Sequence, residues 1–347
     1  MFTVLFFKIK GWVFIVKISI LDYAVIDENK KAVSAVNETI ELAKHAEALN
    51  FNRFFVAEHH NVKAFASTSP ELLMMKLLDE TKSIKIGSAG VMIPHYAPLK
   101  VAENFRMLEA FHPGRVDLGF GSTIGTSIVQ RAMHSSREGF DYKMHIEEIQ
   151  NLLSEGSSEE FKNIIVNPVI EKAPNMWILS TSQRSAKIAA NLGIGYIFGL
   201  FPYASNDKTL AGKRAIEIYR EEFQPSKTNA EAHAIVAVFV VIANTKDEAK
   251  TLAKALDVWL LGKENFNEFN SFPSVETAEN YNYSQADLRR MKSNRTRMIV
   301  GTKSTVKEKL SALQHELNAD ELLIIPLMPE FKNRKHALTL ISETFEL

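Results

Sequence analysis

The chain has 347 residues, of which 46% are hydrophobic and 24% charged, a balance that marks a globular protein able to bury a sizeable core in one large barrel or two smaller domains. Lys plus Arg and Asp plus Glu both total 41, so the zero net charge removes any broad electrostatic case for nucleic acid or an anionic membrane. The absence of cysteine excludes a disulfide framework, a thiolate nucleophile and a cysteine metal site, and it fits a reducing, cytoplasmic interior.

Met1 to Val16 is apolar but broken by Lys8, Lys10 and Gly11. It is too short for a membrane span and lacks the unbroken apolar run and small-residue cleavage site of a secretory signal. It reads as an N-terminal extension, 1–16, carrying an extra surface strand ahead of a single domain over 17–347. Short apolar segments then alternate with longer amphipathic ones. A strand is expected over Val16 to Leu21 and a helix over Ala35 to Leu49, where Val36, Ile40, Ala43, Ala46 and Leu49 recur at helical spacing. Strand Arg53 to Ala57 leads to a helix opened by proline, Pro70 to Leu78. Strand Ile84 to Ser88, helix Leu99 to Phe111 and strand Val116 to Phe120 continue the rhythm.

A helix follows over Glu138 to Leu153, then strand Met176 to Leu179, helix Arg184 to Leu192, strand Gly195 to Gly199 and helix Lys208 to Phe223. Ala234 to Ala243 is the clearest long strand, rich in valine and isoleucine. Helix Lys246 to Leu260, helix Thr305 to Leu317 and strand Glu321 to Ile325 complete the pattern. Eight strands separated by helices predict an α/β fold, a (β/α)8 TIM barrel. The rival is a doubly wound open sheet, but its early phosphate loop is missing: the first strand runs into Asp22-Tyr23-Ala24 without a glycine. Gly262 to Asn294 breaks the rhythm as a long insertion loop, either covering a site or forming a partly helical decoration.

The candidate chemistry gathers at strand ends. Val56-Ala57-Glu58-His59-His60-Asn61 is an apolar run ending in a carboxylate, two imidazoles and an amide. Imidazole serves acid/base work near neutral pH because its ordinary pKa lies near 6.5. Structural hydrogen bonding or metal binding would use the same residues. However, adjacent histidines on an extended segment point apart, and no further ligand set of the His-Glu-x-x-His kind accompanies them.

Gly87-Ser88-Ala89-Gly90 and Leu118-Gly119-Phe120-Gly121-Ser122 put small residues at two successive strand ends. They either let a flat cofactor approach the backbone or end the strands for local reasons. Ser180-Thr181-Ser182-Gln183-Arg184-Ser185 opens a helix, where hydroxyls and free N–H groups suit either a phosphate or simple capping. Arg131, Met133, His134 and Arg137 precede a helix with nothing to fix their directions, and the aromatic residues form no basic groove for single-stranded nucleic acid.

These segments carry a family resemblance. Arg53 to Asn61, Ala66-Ser67-Thr68-Ser69-Pro70-Glu71, Ile86 to Arg106 and Leu108 to Gly119 resemble the bacterial luciferase-like flavin monooxygenases, in their single-chain branch. The likeness runs from Lys17 to about Leu323 and is strongest between Arg53 and Gly121. It implies a (β/α)8 barrel, a homodimer, and flavin mononucleotide (FMN) bound at the C-terminal strand ends. It also implies that a separate flavin reductase supplies the reduced FMN. A C4a-peroxyflavin made with O2 would then oxidise a small organic substrate that the sequence does not identify. The substrate-shaping loops would be Ile124 to His134, Leu200 to Asp207 and Gly262 to Asn294.

On the same resemblance, His59 is the catalytic histidine, oriented by His60 and Glu58. Ala89-Gly90 falls at a cis peptide beneath the flavin ring, with Ser88 and Gly121 beside it, and Thr181, Ser182 and Ser185, next to Ser180, hold the phosphate. One departure stands out: Ser122 occupies a position where the family usually has a phosphate-binding arginine. Two alternatives stay open: an oxidoreductase using the deazaflavin F420, since the wider superfamily resembled here contains hydride-transfer members, and a non-catalytic flavin-binding protein, which Ser122 keeps in play.

Overall fold

A computed structural model describes residues 7–9, 12–14, 17–136, 138–155, 162–202 and 208–347. Strands β1 (Phe7–Ile9) and β2 (Trp12–Phe14) pair antiparallel in a two-stranded sheet separate from the main one. The domain then follows in order: β3 (Lys17–Asp22), α1 (Ala32–Ala48), β4 (Arg53–Val56), α2 (Pro70–Glu80), β5 (Lys85–Met92), α3 (Pro98–Phe111), β6 (Val116–Gly121), α4 (Ser127–Ala132), α5 (Tyr142–Ser154) and β7 (Asn175–Ser180). It continues with α6 (Gln183–Asn191), β8 (Gly195–Gly199), α7 (Lys208–Glu221), β9 (Ala234–Ile242), α8 (Lys246–Trp259), α9 (Val275–Glu279) and α10 (Gln285–Arg295). The last elements are β10 (Met298–Gly301), α11 (Lys303–Leu317), β11 (Glu321–Ile325) and α12 (Phe331–Phe345).

Strands β3 to β9 pair in sequence, all parallel, and β11 closes the ring by pairing with both β9 and β3. Closure excludes the open sheet and gives the eight-stranded barrel expected from the sequence. Strands covered on both faces read as continuous apolar runs, and in β9 all nine residues are buried. β9 also outruns the ring: Phe239 pairs with Ile325 of β11 on one side and with Met298 of β10 on the other. β10 was not expected from the sequence, because its four residues are too few to show a period. α12 was also missed, although Leu338, Ile341 and Phe345 recur on one face. β5 runs four residues beyond its expected end at Ser88, across a register shift between Ser88 and Val91.

The N-terminal end of the barrel interior is filled by ions rather than by hydrocarbon. Arg53 Nε lies 3.1 Å from Asp117 Oδ2, and its Nη1 lies 3.0 Å from Glu321 Oε2. Asn175 and the Trp177 indole donate to Asp117 at 2.9 and 3.1 Å, while Ser19 and His233 bond to Glu321. The guanidinium also sits 5.0 Å from the centre of the Trp177 ring. Burial pushes the Glu321 carboxyl up, but Arg53 and the His233 and Ser19 hydrogen bonds outweigh it and hold its pKa at about 2.

Removing one partner of a buried ion pair strands the other, so Glu321→Gln should cost about 3–5 kcal/mol in chemical denaturation at pH 7. Because the folded pKa lies below the unfolded value of about 4.3, the carboxylate's contribution is present above that value and lost as pH falls toward 2. The deficit of Glu321→Gln should therefore shrink over that window, and a deficit that stays constant there would contradict the assignment.

Candidate active site

The chain beyond β4 turns back on itself to present its polar cluster at the C-terminal mouth. Ala57 N–H donates to Asp22 of β3, the Ser67 hydroxyl donates to the Ala57 carbonyl, and His59 N–H donates to the Ser67 carbonyl at 2.9 Å. The His59 ring packs against both Tyr23 and Phe65, 4.9 and 5.0 Å from their ring centres, and those two rings also touch each other, so the three form a triangle. Its Nδ1 is buried with no hydrogen-bond partner. Burial in this aromatic surround lowers the imidazole pKa to about 4, with Glu58 pulling it up and His60 down, so His59 is neutral at physiological pH.

Glu58 is 4% exposed and turns away from His59. Its Oε1 accepts from His60 Nε2 and from the Tyr96 hydroxyl, each at 2.6 Å, and its Oε2 accepts from Met92 N–H at 2.7 Å. The expectation that Glu58 and His60 orient His59 is corrected accordingly: the carboxylate holds His60, and aromatic packing holds His59. The reason is the alternation of an extended chain, which sends adjacent side chains to opposite sides. Tyr96, Tyr23 and Phe65 went unnoticed in the sequence because nothing local marks an aromatic residue as the partner of a distant carboxylate or imidazole.

The next two strand ends combine packing with exposure. The Ala89–Gly90 peptide is cis. A Cβ on Gly119 would stand 2.2 Å from the Ser88 carbonyl oxygen, and one on Gly90 would stand 2.8 Å from the Gly119 oxygen. These glycines are therefore required by the close approach of β5 and β6. Ser88 is buried and its hydroxyl is spent on the Gly119 backbone, so it offers a ligand no side-chain contact. Gly121 differs, since a Cβ there would meet nothing closer than 3.4 Å. Packing does not demand glycine at that position, and Gly121 and the exposed Ser122 border the mouth.

After β7, Ser182 caps α6 by accepting from Ser185 N–H at 3.2 Å, and its hydroxyl reaches Ser185 Oγ at 3.0 Å. The Ser180 hydroxyl accepts from Ser182 N–H at 3.1 Å, while Thr181 and Arg184 face solvent. Both capping and a hydroxyl-lined approach to the helix N-terminus are thus realised in one turn. Arg131 is exposed on α4, and Arg137 lies outside the described residues. Strands β4, β5, β6 and β7 are consecutive in the ring, so the imidazoles, the cis peptide, Gly121 and the serine turn form one arc of the mouth.

The 262–294 insertion is partly helical and lies on the same face. It enters through a left-handed turn, with Glu264, Asn265 and Phe266 at φ 49°, 56° and 67°. Asn267 donates to the Asn61 carbonyl at 2.7 Å and accepts from Lys63 N–H at 3.0 Å, which ties the insertion to the segment bearing His59 and His60. Phe272 and Thr277 bond to the loop after β3 at Ile26 and Glu28. Of the other two loops expected to shape the substrate site, residues 203–207 lie outside the described residues. A cavity of about 730 Å³ between Glu28, Thr277 and Glu330 is lined in part by the insertion, through Phe272, Ser274 and Thr277, but by none of the candidate catalytic or flavin-binding residues. Among the described residues, no group of three or more His, Asp or Glu is placed to hold a metal ion, and no helix is long and apolar enough to cross a membrane.

Fold and site together define a barrel enzyme whose candidate groups gather along one arc of the C-terminal mouth. A luciferase-like monooxygenase family model matches residues 16–321, and the chain belongs to that family. It is 38% identical to the Bacillus subtilis protein YwcH over 95% of this chain and 99% of that one. It is 30% identical to the N-acetyl-S-alkylcysteine monooxygenase of the same organism, over 94% and 98% of the two chains. Among solved structures, apo-MsnO8 superposes with a TM-score of 0.85 at 27% identity, covering 96% of this chain and 99% of that one.

A ring as desolvated as that of His59 should remain neutral until the pH approaches 4. Histidine ring NMR over pH 7.5 to 3.5 checks this, and titration near the ordinary value of about 6.5 would contradict the buried aromatic setting.

Proposed function

We propose that this enzyme is a two-component monooxygenase that takes reduced FMN from a separate flavin reductase and uses O2 to oxidise a small organic substrate. The observation that carries the reading is the single arc of the mouth joining a neutral, aromatic-walled imidazole, an open glycine and a hydroxyl-lined helix N-terminus. The orphaned His59 Nδ1 and the room at Gly121 fit a planar cofactor that brings its own polar atoms.

Ser180, Thr181, Ser182 and Ser185, with the first N–H groups of α6, would hold the phosphate, while Ala89, Gly90 and Gly121 would lie along the ring. Reduced flavin supplies the electrons that activate oxygen. The protein's own part is electrostatic and steric. His59, neutral at working pH, offers a hydrogen-bonding nitrogen without adding charge, and Tyr23, Phe65 and Trp259 keep its surroundings dry.

The docked insertion adds cover from the side of β3 and β4. We infer a cytoplasmic homodimer, supported by the lack of cysteine and by the family resemblance. The relative that oxidises N-acetyl-S-alkylcysteines makes such thioethers the first substrates to test.

With Ser122 exposed beside Gly121, a flavin phosphate would rest on hydroxyls and backbone N–H groups without a cation from the end of β6. A charge-assisted contact contributes about 1.5–3 kcal/mol, so Ser122→Arg should tighten FMN binding about 10- to 150-fold. An unchanged or weaker affinity would place the phosphate elsewhere.

The function itself is tested by anaerobic titration with reduced FMN, with reduced F420 in parallel, followed by admission of air with each thioether. Preferential binding of reduced FMN and an O2-dependent oxygenated product support the reading. Preference for F420 would move the enzyme to hydride transfer, and FMN retention without turnover of any substrate would favour a binding protein.

A further inference from the structure

The Tyr96 phenol takes no part in the site as read from the sequence, yet it completes the most tightly held polar group there. Its hydroxyl donates to Glu58 Oε1 at 2.6 Å, on the same oxygen that accepts from His60 Nε2, while Met92 N–H occupies the other oxygen. Donors from two segments of chain thus converge on one buried carboxylate. Tyr96 is anchored in turn: its N–H donates to the Ile93 carbonyl, and its own carbonyl accepts from His145 Nε2 of α5 at 2.9 Å. Burial and the adjacent Glu58 carboxylate push the phenol well above its ordinary pKa, so it remains a donor. With only His60 and Met92 as partners, the carboxylate would be left with acceptor capacity unfilled in a water-poor pocket and would be freer to turn.

We propose that Tyr96 is a positioning residue of the flavin site, acting through Glu58 to fix both the His60 ring and the end of β5 just beyond Ala89–Gly90. The proposal rests on the flavin reading above. Glu58 joins β4 to β5 through Met92, two residues past the cis peptide, so what holds Glu58 also holds the backbone along which the flavin ring would lie. Tyr96 contributes the third donor, from a segment braced against α5.

The test uses Tyr96→Phe, Glu58→Gln and the double variant, each titrated anaerobically with reduced FMN. Thermal unfolding and ring N–H spectra of ¹⁵N-histidine-labelled protein are recorded alongside. Tyr96→Phe should stay folded and bind about 10-fold more weakly. Adding it to Glu58→Gln should change affinity by less than about twofold, because both changes disable one unit. The hydrogen-bonded His60 Nε2–H signal, present in the native protein, should be lost to solvent exchange in Tyr96→Phe. Binding within twofold of native with the His60 signal intact would overturn the proposal, as would effects that multiply in the double variant. Failure of the native protein to bind FMN would instead strike the flavin reading itself, whereas a null result confined to Tyr96→Phe strikes only the positioning role.

Discussion

Arg53 is the residue around which the barrel closes. It rises from β4 into the barrel interior, touches Asp117 of β6 and Glu321 of β11, and lies against Trp177 of β7, so one guanidinium links strands on opposite parts of the ring. A charge so deeply enclosed is tolerable only when its partners are fixed, and Ser19 and His233 hold Glu321 while Asn175 and Trp177 hold Asp117 through Oδ1. The N-terminal half of the barrel is thereby plugged and rigid. That leaves the C-terminal half free to carry reactive groups on strand ends whose positions are already set.

At that upper end, two adjacent histidines live in different media. His59 is packed by Tyr23 and Phe65 and loses its proton to desolvation, whereas His60 is bonded to a carboxylate that also gathers Tyr96 and Met92. The divergence follows from one structural fact, the alternation of side chains along an extended chain. It turns a pair that looks redundant in sequence into two groups with separate tasks. The glycines of β5 and β6 divide in a similar way: Gly90 and Gly119 are demanded by backbone contact, while Gly121 is not.

Most of the barrel was legible because parallel strands buried on both faces announce themselves as apolar runs, and helices such as α1 announce themselves by period. Elements failed to show where the signal is short or mixed. β10 has four residues between polar flanks, and α12 buries Arg334 among its apolar positions to bind Asp27, which breaks the apparent stripe. At the site, the strand-end cluster and the serine turn could be read from residue type alone. The partners of Glu58 could not, because Tyr96 reaches it across 38 residues and through a backbone geometry that residue type does not encode. Likewise, Ser88 looked available to a ligand until its hydroxyl was found paired with Gly119.

The central claim is that one arc, from His59 across Ala89–Gly90 and Gly121 to the Ser180–Ser185 turn, receives FMN. A crystal structure of the protein soaked with FMN tests it most directly. The account predicts the phosphate at the N-terminus of α6 and the ring along β5 and β6 beside His59. A flavin seated in the acidic cavity near Glu28 and Glu330, or a ring turned away from His59, would contradict it.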